Sequence, residues 1–302
     1  PGATPDNVLV TIGASEANLL AATTLLEPGD EVLAFRPTYL QFGGMAENIG
    51  VAVKTIDLVE KEGWRLDLGQ LATLVTSKTK VISIVNPNNP TGSILNEAEI
   101  TALIKAADSV GAWILADEVY AGTERNTADI TPTLYGRYDK IIAVNSLSKA
   151  YGLPGLRCGW MVGPKTTIEA LWRRHEYAVV SGTMLSNKLA TLALNPDTRP
   201  KLIARTRSLI KSGFATLEKR LQTHPGVFSM VPPKASALSF VQYNLPINSS
   251  NFVEKLRQEK SILIIPGDCF GMDHHLRISS ALPIDYLEEG MSRLNALVEE
   301  LL

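Results

Sequence analysis

The chain has 302 residues, with 29 lysines and arginines against 31 aspartates and glutamates and a formal net charge of -2. This balance excludes the strongly basic surfaces that recruit nucleic acid or anionic membranes, and no apolar stretch approaches the ~20 residues of a membrane span. The length exceeds one ordinary hydrophobic core, so it predicts a large domain and a smaller one.

Cysteine and histidine are sparse. Cys158 and Cys269 are the two cysteines, too few for a disulfide framework or a Cys-type metal site, and the four histidines include no helical pair at metal-binding spacing. We therefore expect no bound metal. The N-terminus also lacks the basic and apolar regions of a signal peptide, so we expect a soluble cytoplasmic protein.

The first predicted elements are a strand, a turn of small residues and a helix. The β-branched run at residues 8–12 breaks at Gly13-Ala14-Ser15, and residues 16–26 are typical of a helix. Such a turn presents free backbone N–H groups and the positive end of a helix to an anion. The same arrangement is also common without any ligand, and it lacks the glycine pattern of a dinucleotide site.

Three further strands run into polar motifs. Residues 31–35 precede Arg36-Pro37-Thr38-Tyr39, and residues 81–85 precede the proline-dense segment from Asn86 to Gly92, which must turn sharply. Residues 112–116 end at Asp117-Glu118-Val119-Tyr120. A carboxylate at the end of a central strand is poorly solvated and needs a cationic or hydrogen-bonded partner, although Asp117 could instead cap a helix.

The next strand, at residues 141–144, is followed by the sequence S-L-S-K-A-Y-G-L-P-G-L-R from Ser146 to Arg157. A partly desolvated lysine among small residues can have a lowered pKa and act as a nucleophile toward a carbonyl, which makes Lys149 the candidate. Ser146, Ser148 and Arg157 are then placed to hold an anion, for which we expect a phosphate. Taken alone, a lysine is usually a solvated surface residue, and it is the surrounding motif that favours a reactive Lys149.

These motifs all follow apolar strands. In an open parallel sheet the carboxyl ends of the strands lie at one edge, where ligands bind, so we expect the motifs to converge there. Residues 171–194 are largely helical in pattern, and a long amphipathic helix is predicted at residues 199–222. Short strands and helices complete the chain, including a strand at Leu276-Arg277-Ile278-Ser279.

The motifs resemble those of the fold-type I, class I/II aminotransferases. In that family the lysine motif reads S-x-S-K followed by G-L-x-G-x-R-x-G, and a second motif reads N-P-x-N-P-T-G; both are complete here. The resemblance implies an α/β three-layer sandwich with a mostly parallel seven-stranded sheet and a smaller C-terminal α+β domain. It places the large domain at residues 1–196 and the small one at residues 197–302, and it implies an antiparallel strand near residues 158–163.

The resemblance also implies a pyridoxal 5′-phosphate (PLP) site. Lys149 would carry PLP as an aldimine, Asp117 would pair with the ring nitrogen, and Arg277 would bind the substrate carboxylate. Cis peptides are implied at Asn89-Pro90 and Arg36-Pro37. The remaining implied contacts are the phosphate ligands Gly13, Ala14, Ser15, Ser146, Ser148 and Arg157, the ring-stacking Tyr39, and the ring-hydroxyl partners Asn89 and Tyr120, with Asn89 also near the substrate.

On this resemblance the chain would move an amino group from an α-amino acid to a 2-oxo acid through a pyridoxamine phosphate intermediate. Two alternatives stay open: another PLP reaction such as β-elimination, decarboxylation or amino-acid cyclisation, and a non-catalytic PLP-sensing module. Family members usually carry some tens of residues ahead of the first strand seen here, so we expect the N-terminal arm to be missing. We also expect a homodimer with its active site at the subunit interface, and no nucleic-acid or membrane partner.

Overall fold

The computed structural model describes residues 2–302. The apolar runs of the first two thirds of the chain form an eight-stranded sheet in the order β1-β8-β7-β6-β5-β2-β3-β4. Strands β2, β3, β5, β6 and β7 are parallel, and β8 is antiparallel to both of its neighbours, as the resemblance implied. The strands are β1 (Val8–Thr11), β2 (Glu31–Arg36), β3 (Ala52–Val59), β4 (Arg65–Leu66), β5 (Thr79–Val85), β6 (Trp113–Asp117), β7 (Ile141–Ser146) and β8 (Gly159–Val162).

The sheet has one strand more than the seven implied. The additional strand is β4, a two-residue segment that pairs antiparallel with the end of β3. A segment this short has no alternation of apolar and polar residues that a sequence could reveal.

Helices cover both faces of this sheet, which gives the three layers implied by the resemblance. Because successive strand residues point to opposite faces, Val81 packs under one helical layer and Ile82 under the other. The first layer contains α1 (Gly13–Leu25), α2 (Gln41–Asn48) and α5 (Lys165–Val179), and the second contains α3 (Leu68–Leu74) and α4 (Glu97–Val110). Among residues 2–302, no helix is long and apolar enough to cross a membrane.

The last third of the chain forms a separate antiparallel sheet in the order β11-β12-β10-β9. A short helix α6 (Met184–Ala193) and a long helix α7 (Arg199–Leu221) lead into it. Its strands are β9 (Phe228–Ser229), β10 (Leu238–Tyr243), β11 (Ile265–Pro266) and β12 (His275–Ser279), and its helices are α8 (Ser249–Lys260) and α9 (Ile284–Leu301).

Backbone contacts hold the start of the small sheet against the large one. The N–H of Arg125 donates to the carbonyl of Lys234, and the N–H of Ser236 donates to the hydroxyl of Thr123. The Arg125 guanidinium adds bonds to the carbonyls of Ser236 and Leu238. These contacts place β10 and its neighbour β12 beside the carboxyl edge of the large sheet.

Candidate active site

The polar motifs converge, as predicted, in a cavity of about 390 Å³ at the carboxyl ends of β5, β6 and β7 and the amino end of α1. Gly13 does not line this cavity but lies directly behind it, against the guanidinium of Arg157. The structure therefore brings all the candidate residues into one region. Those that line the cavity are Ala14, Ser15, Tyr39, Asn89, Asp117, Tyr120, Ser146, Ser148, Lys149, Arg157 and Arg277.

One end of the cavity is rich in hydrogen-bond donors. Helix α1 begins without a side-chain cap, so the N–H groups of its first turn, including those of Ala14 and Ser15, have no partner within the helix. The Arg157 guanidinium donates one bond, to the carbonyl of Pro154 at 3.2 Å, and keeps further N–H groups for the cavity. A helix amino end, serine hydroxyls and a guanidinium form a set of donors that suits a phosphate dianion.

The turn before α1 depends on glycine. Gly13 has φ +73°, and a Cβ there would lie 2.4 Å from Nη2 of Arg157. The missing side chain thus permits both the left-handed backbone and the close approach of the guanidinium to the turn.

Asp117 is buried at the end of β6, where its Oδ1 accepts the N–H of Val119 at 3.2 Å. Burial raises the pKa of Asp117 to about 6, while the N–H of Val119, the amide of Asn18 and the charge of Lys149 act in the opposite direction. Residues 119–122 form turns, so Asp117 does not cap a helix and that alternative is wrong. A carboxylate in this position is suited to hold a protonated ring nitrogen.

Lys149 projects into the cavity, with Nζ 5.9 Å from the centroid of the Tyr120 ring. Partial burial lowers the pKa of Lys149, the positive charges of Arg277 and Arg157 lower it further, and Asp117 opposes them. The amine is accessible from the cavity and is more readily deprotonated than an isolated lysine. Both properties are required of a nucleophile.

Arg277 enters the same cavity from β12 of the small sheet. Its Nη1 donates to Oδ1 of Asn89 at 3.1 Å, and its Cζ lies 5.3 Å from the Phe270 ring centroid. Within residues 2–302, no carboxylate lies at ion-pair distance from Arg277. Its remaining N–H groups can therefore bind an external carboxylate in a two-pronged arrangement.

The two tyrosines differ in exposure. Tyr120 is buried, and burial raises its pKa, so its hydroxyl stays protonated and able to donate. Tyr39 is 41% exposed at the mouth of the cavity, where its ring can cover a planar ligand.

The two implied cis peptides, Arg36-Pro37 and Asn89-Pro90, are present, and a third lies at Asn86-Pro87. Reasoning from the sequence missed several residues of the cavity wall, chiefly Asn18, Gln41 and Leu238. Of these, Asn18 follows Ser15 by three residues and so shares its face of α1, a spacing that could have identified it.

A second cavity, of about 540 Å³, lies on the other side of Lys149. Five residues belong to both cavities: Tyr120, Ser148, Lys149, Pro154 and Leu238. The wall of the second one continues with apolar and polar side chains from α7 and the small sheet, including Arg205, Thr206, Leu209, Ile210, Ser279 and Ala281.

Comparison with known proteins agrees with this geometry. The family model described as aminotransferase class I and II matches residues 2–294. The chain belongs to this family. Because its members depend on PLP, the chain is a PLP-dependent aminotransferase that acts on amino acids and oxo acids.

Individual relatives support the same conclusion. An aspartate aminotransferase from Streptomyces avermitilis is 29% identical over 308 residues, which covers 97% of this chain and 74% of the relative. A capreomycidine synthase from Streptomyces vinaceus is 27% identical over 294 residues, covering 97% and 74%. The crystal structure of a PLP-dependent aminotransferase from Streptococcus suis superposes with a TM-score of 0.91 at 33% identity, covering 99% of this chain and 79% of that one.

The side chains of the cavity fit PLP. The donor-rich end matches the phosphate, the buried Asp117 matches the ring nitrogen, and the amine of Lys149 can reach the space between these two ends. Membership of the aminotransferase family favours an enzyme over the non-catalytic PLP-sensing alternative.

Proposed function

We propose that Lys149, Asp117 and Arg277 perform transamination in the 390 Å³ cavity, with Lys149 as the attachment point of PLP. One juxtaposition supports this proposal: an amine with a lowered pKa shares a cavity with a buried carboxylate and an unpaired guanidinium. Such a combination of perturbed groups is typical of catalytic sites.

The donor-rich end of the cavity would hold the phosphate. When bound, PLP supplies an electron sink for negative charge that develops at the substrate α-carbon. Asp117, with a pKa of about 6, is mostly ionised at neutral pH and would hold the ring nitrogen in its protonated form. Tyr120 and Asn89 would contact the ring hydroxyl oxygen, and Tyr39 would cover the ring.

Lys149 and Arg277 act on the substrate. Arg277 binds the α-carboxylate, and its bond to Asn89 fixes the direction of the guanidinium. This orients the substrate so that the α-hydrogen faces the amine of Lys149. That amine would remove the proton from the α-carbon as a general base and, as a general acid, would deliver it to the PLP carbon that is joined to the substrate nitrogen.

The decisive test is Lys149→Ala, with the exposed Lys105→Ala on α4 as the matched control. We expect the first variant to lose turnover and the second to retain it, as measured by formation of oxo acid. Borohydride reduction of the PLP-loaded parent, followed by peptide mass spectrometry, should place the added mass on Lys149. A Lys149→Ala variant that forms oxo acid at the parent rate would contradict the assignment.

Aspartate is the first amino donor to test, because the relative from Streptomyces avermitilis is named an aspartate aminotransferase. The second cavity adjoins Lys149 and gives room for a substrate side chain. A panel of amino acids should be offered singly, with the oxo acids identified.

A second candidate function is another PLP reaction on the same scaffold, such as β-elimination, decarboxylation or amino-acid cyclisation. This alternative is supported by the similarity to a relative named capreomycidine synthase. The same amino-acid panel distinguishes the two. Transamination yields the matching oxo acid without ammonia, whereas elimination releases ammonia and decarboxylation releases carbon dioxide.

We further propose a homodimer with its active site at the subunit interface. Support comes from a group of exposed apolar side chains on α5, α6 and their connection, which we call the α5–α6 patch: Trp172, Tyr177, Val180, Met184, Leu185, Leu189 and Leu192. Many exposed apolar side chains within one short stretch of chain are typical of a protein interface.

The division into a large domain at residues 1–196 and a small one at residues 197–302 also stands as a proposal, supported by the membership of the two sheets. A cytoplasmic location is supported by the two cysteines, Cys158 and Cys269, which are both unpaired.

A further inference from the structure

Helix α1 faces two parts of the cavity at once. Ser15 and Asn18 are three residues apart and therefore lie on one face of the helix. Ser15 belongs to the donor-rich end, whereas Asn18 lies beside Asp117. Asn18 is only 3% exposed.

The Asn18 side chain is connected to both ends of the cavity. Its Nδ2 donates to Oε1 of Gln41 at 3.1 Å, and Nε2 of Gln41 donates to the carbonyl of Ser15 at 3.3 Å. Gln41 is the first residue of α2 and lies two positions after Tyr39. Asn18 and Gln41 therefore connect three parts of the site: the phosphate end at Ser15, the segment that carries Tyr39, and the surroundings of Asp117.

One atom of Asn18 is left without a partner. Its Oδ1 is buried and accepts no hydrogen bond among residues 2–302. A buried acceptor without a donor is destabilising, and an apolar side chain here would avoid that penalty. Rotating the amide would not remove the penalty, because the oxygen would then face Oε1 of Gln41, which is also an acceptor.

We propose that Asn18 is a positioning residue that orients the Asp117 carboxylate toward the PLP ring, with Gln41 as its bridge to the phosphate end. This inference rests on the proposed role of Asp117. Asn18 lines the same cavity as Asp117, and its amide lowers the pKa of Asp117 against the larger effect of burial. The other groups that face Asp117 are the N–H of Val119, the amine of Lys149, the Tyr120 hydroxyl and the neighbouring Glu118.

Loss of the Asn18 amide should make PLP binding more sensitive to pH. Without this donor the carboxyl of Asp117 would protonate at a higher pH, and a protonated Asp117 cannot hold a protonated ring nitrogen. Binding should therefore weaken in mildly acidic solution and recover in alkaline solution, where Asp117 is ionised in both proteins.

The experiment measures the dissociation constant of PLP from parent and Asn18→Leu apoprotein by fluorescence titration at about pH 6 and about pH 8.5. We expect binding to be about tenfold weaker in the variant at the lower pH and within about twofold of the parent at the higher pH, because the amide that favours the ionised form of Asp117 is lost. Free PLP changes its protonation in the same way in both experiments, so this effect cancels in the ratio of the two dissociation constants.

The matched control is Thr24→Val. Thr24 lies on the same helix, and its Oγ1 is also buried without a partner, but it does not line the cavity. The Thr24→Val substitution should leave PLP binding unchanged at both pH values. Asn18→Ala is a second variant in case the leucine impairs folding, and thermal unfolding of each apoprotein reports on the fold.

Two outcomes would overturn the inference: parent-like binding at both pH values, or equal weakening at both, which would mark Asn18 as merely structural. Asp117→Ala separates this failure from that of the proposed function. If Asp117→Ala leaves PLP affinity and its pH dependence unchanged, then the role assigned to Asp117 is wrong. If Asp117→Ala alters them while Asn18→Leu does not, only the inference about Asn18 fails.

Discussion

At the scale of single residues, burial shifts the pKa values of neighbouring groups in opposite directions. It raises the pKa of Asp117 to about 6 and that of Glu118 to about 7, and it lowers the pKa of Lys149. Because its pKa stays below 7, Asp117 is still mostly ionised near neutral pH. Lys149 gives up its proton more readily than an isolated lysine does. A base and an anion with distinct roles can thus lie side by side in one cavity.

Glu118 offers a test of these shifts that does not involve catalysis. Its pKa in the folded chain is about 7 against 4.5 for the free group, so the folded state holds the proton more tightly. This contribution to stability is present at low pH and is lost as the pH rises from about 4.5 to about 7. We expect Glu118→Gln to stabilise the apoprotein by roughly 1–3 kcal/mol at about pH 8 and to change little at about pH 4.

Urea unfolding of the apoprotein at the two pH values measures the effect. The substitution keeps an oxygen that can accept the N–H of Leu134, the bond made now by Oε1 of Glu118 at 2.8 Å. The exposed Glu27→Gln serves as the control and should alter stability little at either pH. A gain of equal size at both pH values, or a loss at the higher one, would show that burial does not shift Glu118 as described.

At the scale of elements, the sequence predicted the strand, turn and helix around Gly13 because three local signals agree there. A β-branched run, a glycine and a helical pattern follow one another within residues 8–26. The break between α5 and α6 could not be predicted in the same way. Val180 adopts φ +64°, a conformation that β-branched residues disfavour, so the break depends on tertiary packing and not on local preference.

The cavity wall shows the same limit. Lys149, Asp117 and Asn89 lie in motifs that mark the ends of strands, so both their chemistry and their place could be predicted. Gln41 reaches the cavity only because α2 packs beside α1, and Leu238 only because the small sheet lies against the large one. Contacts of this kind between distant elements have no local pattern in the sequence.

Replacing Gly13 by alanine tests the turn. Alanine would have to adopt the left-handed conformation of Gly13, and its Cβ would lie 2.4 Å from Nη2 of Arg157, so the guanidinium would have to move. The phosphate end should therefore lose part of its structure. We expect PLP to bind about tenfold more weakly and the apoprotein to lose about 1–2 kcal/mol of stability. Fluorescence titration with PLP and urea unfolding measure the two effects.

Gly44→Ala is the control for this substitution. Gly44 lies within α2, and a Cβ there would meet nothing within 4 Å. Alanine is the better helix former, so this variant should bind PLP normally and be slightly more stable. Normal PLP affinity in Gly13→Ala would mean that the glycine turn is not needed for the phosphate site.

At the scale of the whole molecule, the site exists only where the two sheets meet. The large sheet and α1 provide the phosphate end, Asp117 and Lys149, while the small sheet provides Arg277 and Leu238. The bond between Asn89 and Arg277 crosses this boundary. Substrate recognition therefore depends on the relative placement of the sheets, whereas most of the PLP contacts come from one of them.

The α5–α6 patch extends the argument to the proposed homodimer. Tyr177 is 94% exposed and Met184 is 80% exposed. A dimer contact would bury these side chains, which is favourable because it removes apolar surface from water. We expect Met184→Asp combined with Leu185→Asp to shift the protein from dimer to monomer, because burying two carboxylates without partners is costly. Sedimentation velocity over a range of concentrations measures the change.

The control for the dimer test is Leu263→Asp, which alters a leucine of comparable exposure beside the small sheet. It should leave the assembly unchanged. If the active site lies at the subunit interface, the monomeric double variant should also lose transamination while retaining PLP, since the phosphate ligands described here come from one chain. A double variant that sediments as the parent does would place the dimer contact elsewhere, and a monomer with full activity would show that the site is complete within one subunit.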